Sequence, residues 1–388
     1  MKSVRSVLFI LSLSLLSGCW DSVELDESIM VVGVGVDKDD DGYNFIIEAI
    51  APSDISPTEL TIEGDSILLE AKSETFFNAA RDIIRIAKRR LFFTHTDVWV
   101  IDADLAMNED VLSFLDIIRR EQMLRLNSYL FISDDPPKEI FSTDYTFSKI
   151  LSEELLSGVE YAEYVSDYPS VRARDFFKRL LSPLRSGYLP TIKTIEQNGK
   201  KLSQLTGSAI FNSGYMVGKL NARESLGLMW LNDEVQGGSI TLSFDDDSKA
   251  SFKLIRSKVN IDTKLDGNDL TVDMHVKAEG NLADQFVQVE SINEWIKNFE
   301  KKVSEHIQED IRLALQKLQN EYNTDATLIG VNAYRKQTKQ FNQVIDHWDD
   351  VFSEATINLK VDTKVTDKGL IEGPGYQDQK QNKIYQFN

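Results

Sequence analysis

The sequence predicts an α/β protein of three domains, each a mixed or antiparallel sheet with packed helices, behind an N-terminal leader. Three observations carry this expectation. Strand and helix patterns alternate from 29 to 133, the mark of a sheet covered by helices. A long alternating hairpin pattern and one long amphipathic helix fill the last third. At the start, the apolar run Val7 to Leu16 ends in Ser17, Gly18 and the single cysteine, Cys19.

The leader comes first. Lys2 and Arg5 precede the apolar run, and Asp21, Glu24, Asp26 and Glu27 follow it. A bilayer-crossing helix needs roughly 20 apolar residues, so this run is too short. A basic start, a short apolar core and a small-residue exit describe a signal peptide, 1–18. Leu16-Ser17-Gly18-Cys19 resembles the bacterial lipobox, in which the cysteine is acylated and becomes the first residue after cleavage. The predicted modification is an S-diacylglyceryl and N-acyl group on Cys19. One acyl chain binds a membrane marginally and two or more bind it stably. Trp20 then either sits at headgroup level, where amphipathic rings collect, or is the first apolar residue of the folded body.

Behind the leader, 19–185 forms the predicted first domain. Ile29 to Val36 is a buried strand, and Tyr43 to Pro52 is its hairpin partner. From Ser73, the residues Phe76, Phe77, Ala80, Ile83, Ile84 and Ala87 recur at helical spacing. Asp97 to Asp102 is a strand, followed by a helix that Asn108 caps. Asn127 to Ser133 is a third strand. From Thr146 to Leu181 the chain is mainly helical, with a break at Ser166 to Ser170.

Prolines and glycines in 182–201 place a domain boundary there, opening a small middle domain, 186–240. It holds a hairpin about Asn212-Ser213-Gly214 and a helix with a capping box between Asn221 and Glu224. A break at Val235 to Ser239 leads to the third domain, 241–375, and then to a polar tail, 376–388. Alternation on either side of Asp266-Gly267 predicts a hairpin. Ser291 and Glu294 open a long helix with Trp295, Ile296, Phe299, Val303, Ile307 and Ile311 on one side. Glu354 to Val365 closes the domain as a strand.

Of 388 residues, 43 are basic and 62 acidic, a net charge of −19. Loss of Lys2 and Arg5 with the leader leaves 41 against 62, or −21. Nucleic-acid and anionic lipid phosphates repel such a body. The chain is therefore expected to be tethered near a membrane, without binding nucleic acid. With one cysteine it has no internal disulfide.

Few residues point to chemistry. Asp37, Asp39, Asp41, Gly42 and Glu48 match the calcium-loop pattern, but their flanks are strand-like and the eighth position is Asn44. An acidic hairpin turn is the expected structure, with no metal. Gly33 and Gly35 begin a dinucleotide-type fingerprint whose third glycine is replaced by Lys38. His95, His275, His306 and His347 show no zinc spacing, and neither H-E-x-x-H nor G-x-S-x-G occurs. His95 is expected to be structural. The basic cluster Arg85 to Arg90 suits a helix C-terminus or a contact with lipid headgroups or an acidic partner. The expectation is a non-enzymatic binding protein without cofactors.

Gly18-Cys19-Trp20-Asp21 with Glu24-Leu25 resembles the "GCWDxxEL" start of the Ger(x)C family. Blocks at Val31 to Gly42, Arg90 to Asp102, Arg125 to Ser133 and Gly207 to Leu231 are similar to later family blocks. The resemblance fades from Gly373 onward, and a Pro-rich segment usual before the last helix is reduced to Gln340 to Trp348. It implies the lipoprotein C subunit of a spore germinant receptor, of three α/β domains and with no known catalysis. Its implied partners are an integral membrane A subunit and a permease-like B subunit. Cys19 is then the lipidated residue, on the outer face of the membrane, and no ligand-binding residue is implied. The alternative is a solute-binding lipoprotein serving a transporter, which would hold a deep pocket between two lobes. An envelope hydrolase would need convergent titratable groups that the sequence does not display.

Overall fold

The computed structural model describes residues 28–51, 66–120, 125–244, 249–285 and 292–367. The leader, Cys19, Trp20, the start of the Ser291 capping box and the polar tail lie outside the described residues. What is described is an α/β fold built on two sheets.

The first sheet begins with β1 (Ser28–Asp39) and β2 (Gly42–Ile50), joined by the expected hairpin. β3 (Ile67–Ser73) pairs with β2 and forms one edge. Helix α1 (Phe76–Ala87) follows, capped by Thr75, whose side chain accepts from the Asn78 N–H. Its buried face centres on Ala79 and Ile83, and Phe77 and Ile84 of the expected stripe point outward. β4 (Arg90–Phe92) lies parallel beside the first residues of β1, and β5 (Val98–Asp102) continues along the same side.

After α2 (Ala103–Asn108), α3 (Val111–Arg120) starts from Asp110, whose carboxylate accepts from the Leu112 N–H. The expected cap, Asn108, instead closes α2 by donating to the Asp104 carbonyl. The intervening break puts Asp110, rather than Asn108, at the start of the new helix. β6 (Tyr129–Ser133) pairs in parallel with β5. Helices α4 (Pro137–Phe141), α5 (Leu151–Glu160) and α6 (Ala162–Val165) follow, then α7 (Ala173–Leu180). The parallel strands are buried on both faces, which explains their unbroken apolar runs. One face packs on α1, α3 and α7, the other on α4 and α5. Gly33 and Gly35 serve that second contact. A Cβ on Gly33 would meet Phe141 at 2.8 Å, and one on Gly35 would meet Pro137 at 2.8 Å.

The stretch expected to separate two domains is a strand, β7 (Ser186–Gln197). Thr191 and Ile192 pair in parallel with Ile132 and Ser133 of β6. β8 (Lys200–Asn212) and β9 (Tyr215–Leu220) then add antiparallel, turning at Ser213 and Gly214, both at positive φ. The middle segment thus extends the first sheet instead of building its own. Ser186 to Ile192 is buried, and such a strand needs neighbours on both sides to satisfy its backbone. Helix α8 (Ala222–Leu231) carries the expected capping box of Asn221 and Glu224.

The second sheet runs β10 (Ser239–Ser243), β11 (Lys249–Asp266), β12 (Asp269–Gln285), β13 (Thr356–Asp367), with β13 parallel to β12. The β11–β12 turn is centred one residue later than expected, on Gly267 and Asn268. The long helix α9 (Ile292–Gln316) ends in a wider turn, Lys317–Glu321, and buries Ile296, Phe299, Val303, Ile307 and Ile311 as expected. It packs on β13 and also on α8, so one core runs through both sheets. Helices α10 (Leu328–Lys336), α11 (Thr338–Val344) and α12 (Trp348–Ser353) complete the chain before β13.

Candidate functional site

The joint between the two sheets carries the most organised polar chemistry among the described residues. α7 supplies Arg179, β7 supplies Tyr188, and the segment after α8 supplies Glu234. Arg179 donates to the Tyr188 hydroxyl at 2.7 Å and to Glu234 Oε1 at 3.0 Å. Tyr188 donates to the same carboxylate oxygen at 2.6 Å. Burial pushes the Tyr188 phenol well above its usual range, and the Glu234 charge adds to this. Burial also raises Glu234, with Arg179 opposing it. The three groups are held to one another by these hydrogen bonds and by the Arg179–Glu234 ion pair.

Beside it lies a cavity of about 520 Å³ between α7 and α10, lined in part by Val171, Leu184, Tyr334 and Phe341. No histidine or cysteine lines it. Ser182 and Ser186 donate their hydroxyls to backbone carbonyls of Arg179 and Asp325. The cavity is thus lined by both apolar and polar side chains, and two of its hydroxyls are turned to backbone carbonyls.

Two buried carboxylates hold the same joint. Asp325 accepts from the Thr327 N–H and hydroxyl, the Gly330 N–H and the Trp348 indole. Its burial raises its pKa, and these donors offset part of the rise. Asp310, on α9, is fully buried and accepts from Arg223 of α8 at 2.9 and 2.6 Å through one oxygen. His306 Nε2 stands 3.6 Å from its other oxygen. Burial raises the Asp310 pKa, opposed by His306 and Arg223. The two helices meet closely because Gly227 has no side chain; a Cβ there would lie 2.8 Å from that of Ala314.

Residues singled out in the sequence lie elsewhere. Asp39 and Asp41 face Lys72 at the β1–β2 turn, and Asp37 accepts from the Asn44 amide at 3.4 Å. Glu48 is buried among other partners, accepting from the Leu151 and Ser152 N–H groups at the start of α5. The calcium-pattern residues therefore belong to a strand hairpin and do not converge. His275 bonds Asp362 at 2.7 Å, His347 bonds Asn268 at 3.2 Å, and His95 packs against Phe92. Among the described residues, no three His, Cys, Asp or Glu side chains are grouped to hold a metal. Arg85 to Arg90 spans the end of α1 and the start of β4. Sequence reasoning missed Arg179, Tyr188, Glu234, Arg223, Asp310 and Asp325. For Asp310 a signal existed: it interrupts the apolar stripe of α9 between Ile307 and Ile311.

Comparison with known proteins matches residues 21–194 to the family model "Spore germination protein N-terminal domain". Residues 206–369 match "Spore germination B3/GerAC like, C-terminal". Spore germination protein B3 of Bacillus subtilis (strain 168) is 23% identical over 382 residues, covering 94% of this chain and 98% of that protein. Spore germination protein KC of the same organism is 24% identical, covering 96% and 97%. Spore germination protein A3, also from that organism, is 24% identical, covering 94% and 98%. The crystal structure of the GerBC protein superposes with a TM-score of 0.59 at 21% identity, covering 89% of this chain and all of that one. That likeness concerns the fold. With its two halves matched by the two family models, the chain belongs to the Ger(x)C family of spore germination proteins.

Proposed function

We propose that this protein is the lipid-anchored, non-catalytic C subunit of a nutrient germinant receptor, assembled with integral membrane A and permease-like B subunits. The observation that carries the reading is the sequence Leu16-Ser17-Gly18-Cys19 behind a short apolar run. Among the described residues no helix is long and apolar enough to cross a membrane, so a thioether lipid at Cys19 is the attachment this reading requires. Tethering confines the acidic body to two dimensions, where modest contacts suffice for assembly.

The test is intact-mass measurement of the protein extracted from spore membranes, beside a Cys19→Ala variant. The expected result is a chain that begins at an acylated Cys19, and a variant that is folded, unanchored and poor in nutrient-triggered germination. An unmodified sulfur with the leader still attached would overturn the reading. The cavity beside Arg179 favours one second reading, a solute-binding lipoprotein. Thermal stabilisation of the isolated protein by an amino acid or sugar would support it.

A further inference from the structure

We propose that the end of the first sheet nearest the leader is a membrane-seating face, in which Lys88, Arg89 and Arg90, flanked by Ile86 and Phe92, rest on anionic lipid headgroups. This rests on the lipid-anchor reading above. Strand register supplies the placement. Ser28, the first described residue, pairs with Arg90, Ile29 with Leu91, and Met30 with Phe92. The chain running from Cys19 therefore enters the fold directly alongside the basic cluster. Nine residues reach at most about 30 Å when extended, which holds this end of the sheet close to an acylated sulfur.

The local structure presents these cations outward. Lys88 ends α1 in the left-handed region, at φ 54°, with its N–H bonded to the Ile84 carbonyl. The chain turns there, and Arg90 opens β4 two residues later. All three side chains are exposed, and none makes an ion pair among the described residues. Other cations of this acidic chain, such as Lys38, Lys72, Lys138 and Lys219, each hold a carboxylate. The macrodipole of α1 accounts for a cation in its last turn, and Arg85 already stands there. It does not account for the apolar residues beside the cluster. Ile86 is 58% exposed and Phe92 39% exposed. Cations interleaved with exposed apolar side chains suit the headgroup boundary. The rest of the body is acidic and is repelled by the same headgroups, so the field turns this end downward.

The test couples the mature chain through Cys19, its only cysteine, to maleimide lipid in phosphatidylglycerol–phosphatidylcholine vesicles, and follows amide hydrogen exchange. A cation near an anionic surface contributes about fivefold in partition, so amides 86–92 are expected to exchange at least about tenfold slower than on pure phosphatidylcholine. Substituting Lys88→Gln, Arg89→Gln and Arg90→Gln together removes this protection and leaves the melting temperature in place. So does about 0.5 M salt, where screening shortens to a few ångströms. Equal exchange on the two vesicles, or protection confined to another surface, overturns the proposal. Protection that appears only after membrane proteins are added also overturns it, and assigns the face to a protein partner. Chemical coupling stands in for acylation, so failure here and failure of the anchor reading are seen separately.

Discussion

Gly227→Ala tests whether the α8–α9 contact joins the two sheets as tightly as described. Residue 227 lies inside α8, where alanine is preferred over glycine by about 1 kcal/mol. Helix propensity alone therefore forecasts a more stable protein. The geometry forecasts the reverse. An added Cβ would stand 2.7 Å from the Asp310 carbonyl carbon, with the carbonyl oxygen nearer still, against ordinary contact from 3.4 Å. The neighbour is helix backbone and cannot rotate away, so α9 must retreat by about 0.7 Å or more. A radial gap of that size forfeits about a quarter to a half of each dispersion contact across the interface. Overpacking costs about 1–3 kcal/mol, and so short a contact with helix backbone belongs at the upper end, leaving a net loss of about 2 kcal/mol after the propensity gain. Gly158→Ala, in α5, is the control: its Cβ meets only the mobile end of Leu205, at 3.1 Å. Denaturant midpoints followed by circular dichroism should fall for Gly227→Ala and hold or rise for Gly158→Ala. A rise for both would refute the close approach and with it the rigid joint.

Three other outcomes are expected. Because burial raises the folded pKa of Asp310, its protonation adds stability that is full below the unfolded value of about 3.9 and is lost as pH climbs through the raised value. The stability of Asp310→Asn relative to the unaltered chain should therefore improve as pH rises above about 4, as denaturant titration at each pH would show. Tyr188→Phe removes a buried hydroxyl shared by Arg179 and Glu234, and thermal denaturation should report a loss of about 1–3 kcal/mol. Calorimetry with calcium at about millimolar levels, the weak end of loop affinities, should show no stoichiometric site that Asp37→Ala abolishes. The reason is that Glu48 is committed to the start of α5.

Local features were legible in the sequence where neighbouring residues decide them. The hairpin turn at Ser213-Gly214, the Asn221–Glu224 capping box and the buried side of α9 all depend on short-range spacing. The role of β7 was not legible. Gly187 and Pro190 read as punctuation, yet burial against α7 and pairing with β6 make that stretch part of a sheet. Only tertiary contact reveals that a proline-bearing segment has partners. The side chains of the joint escaped for a similar reason: Arg179 meets Glu234 across 55 positions, and Arg223 meets Asp310 across 87. Phe77 and Ile84 fit a helical period but face outward, because the packing of α1 selects which side of a broad apolar arc is covered.

The run of β7 into β8 bears on how such a chain can be divided. One family model stops at 194, three residues before the end of β7, and the other starts at 206, midway along β8. A cut at either border would split one ribbon down its length. Each fragment would carry part of the ribbon with hydrogen-bonding groups that had lost their mates, an invitation to stick to other chains. Anyone wishing to produce the halves apart should keep 186–220 whole and move the scissors elsewhere.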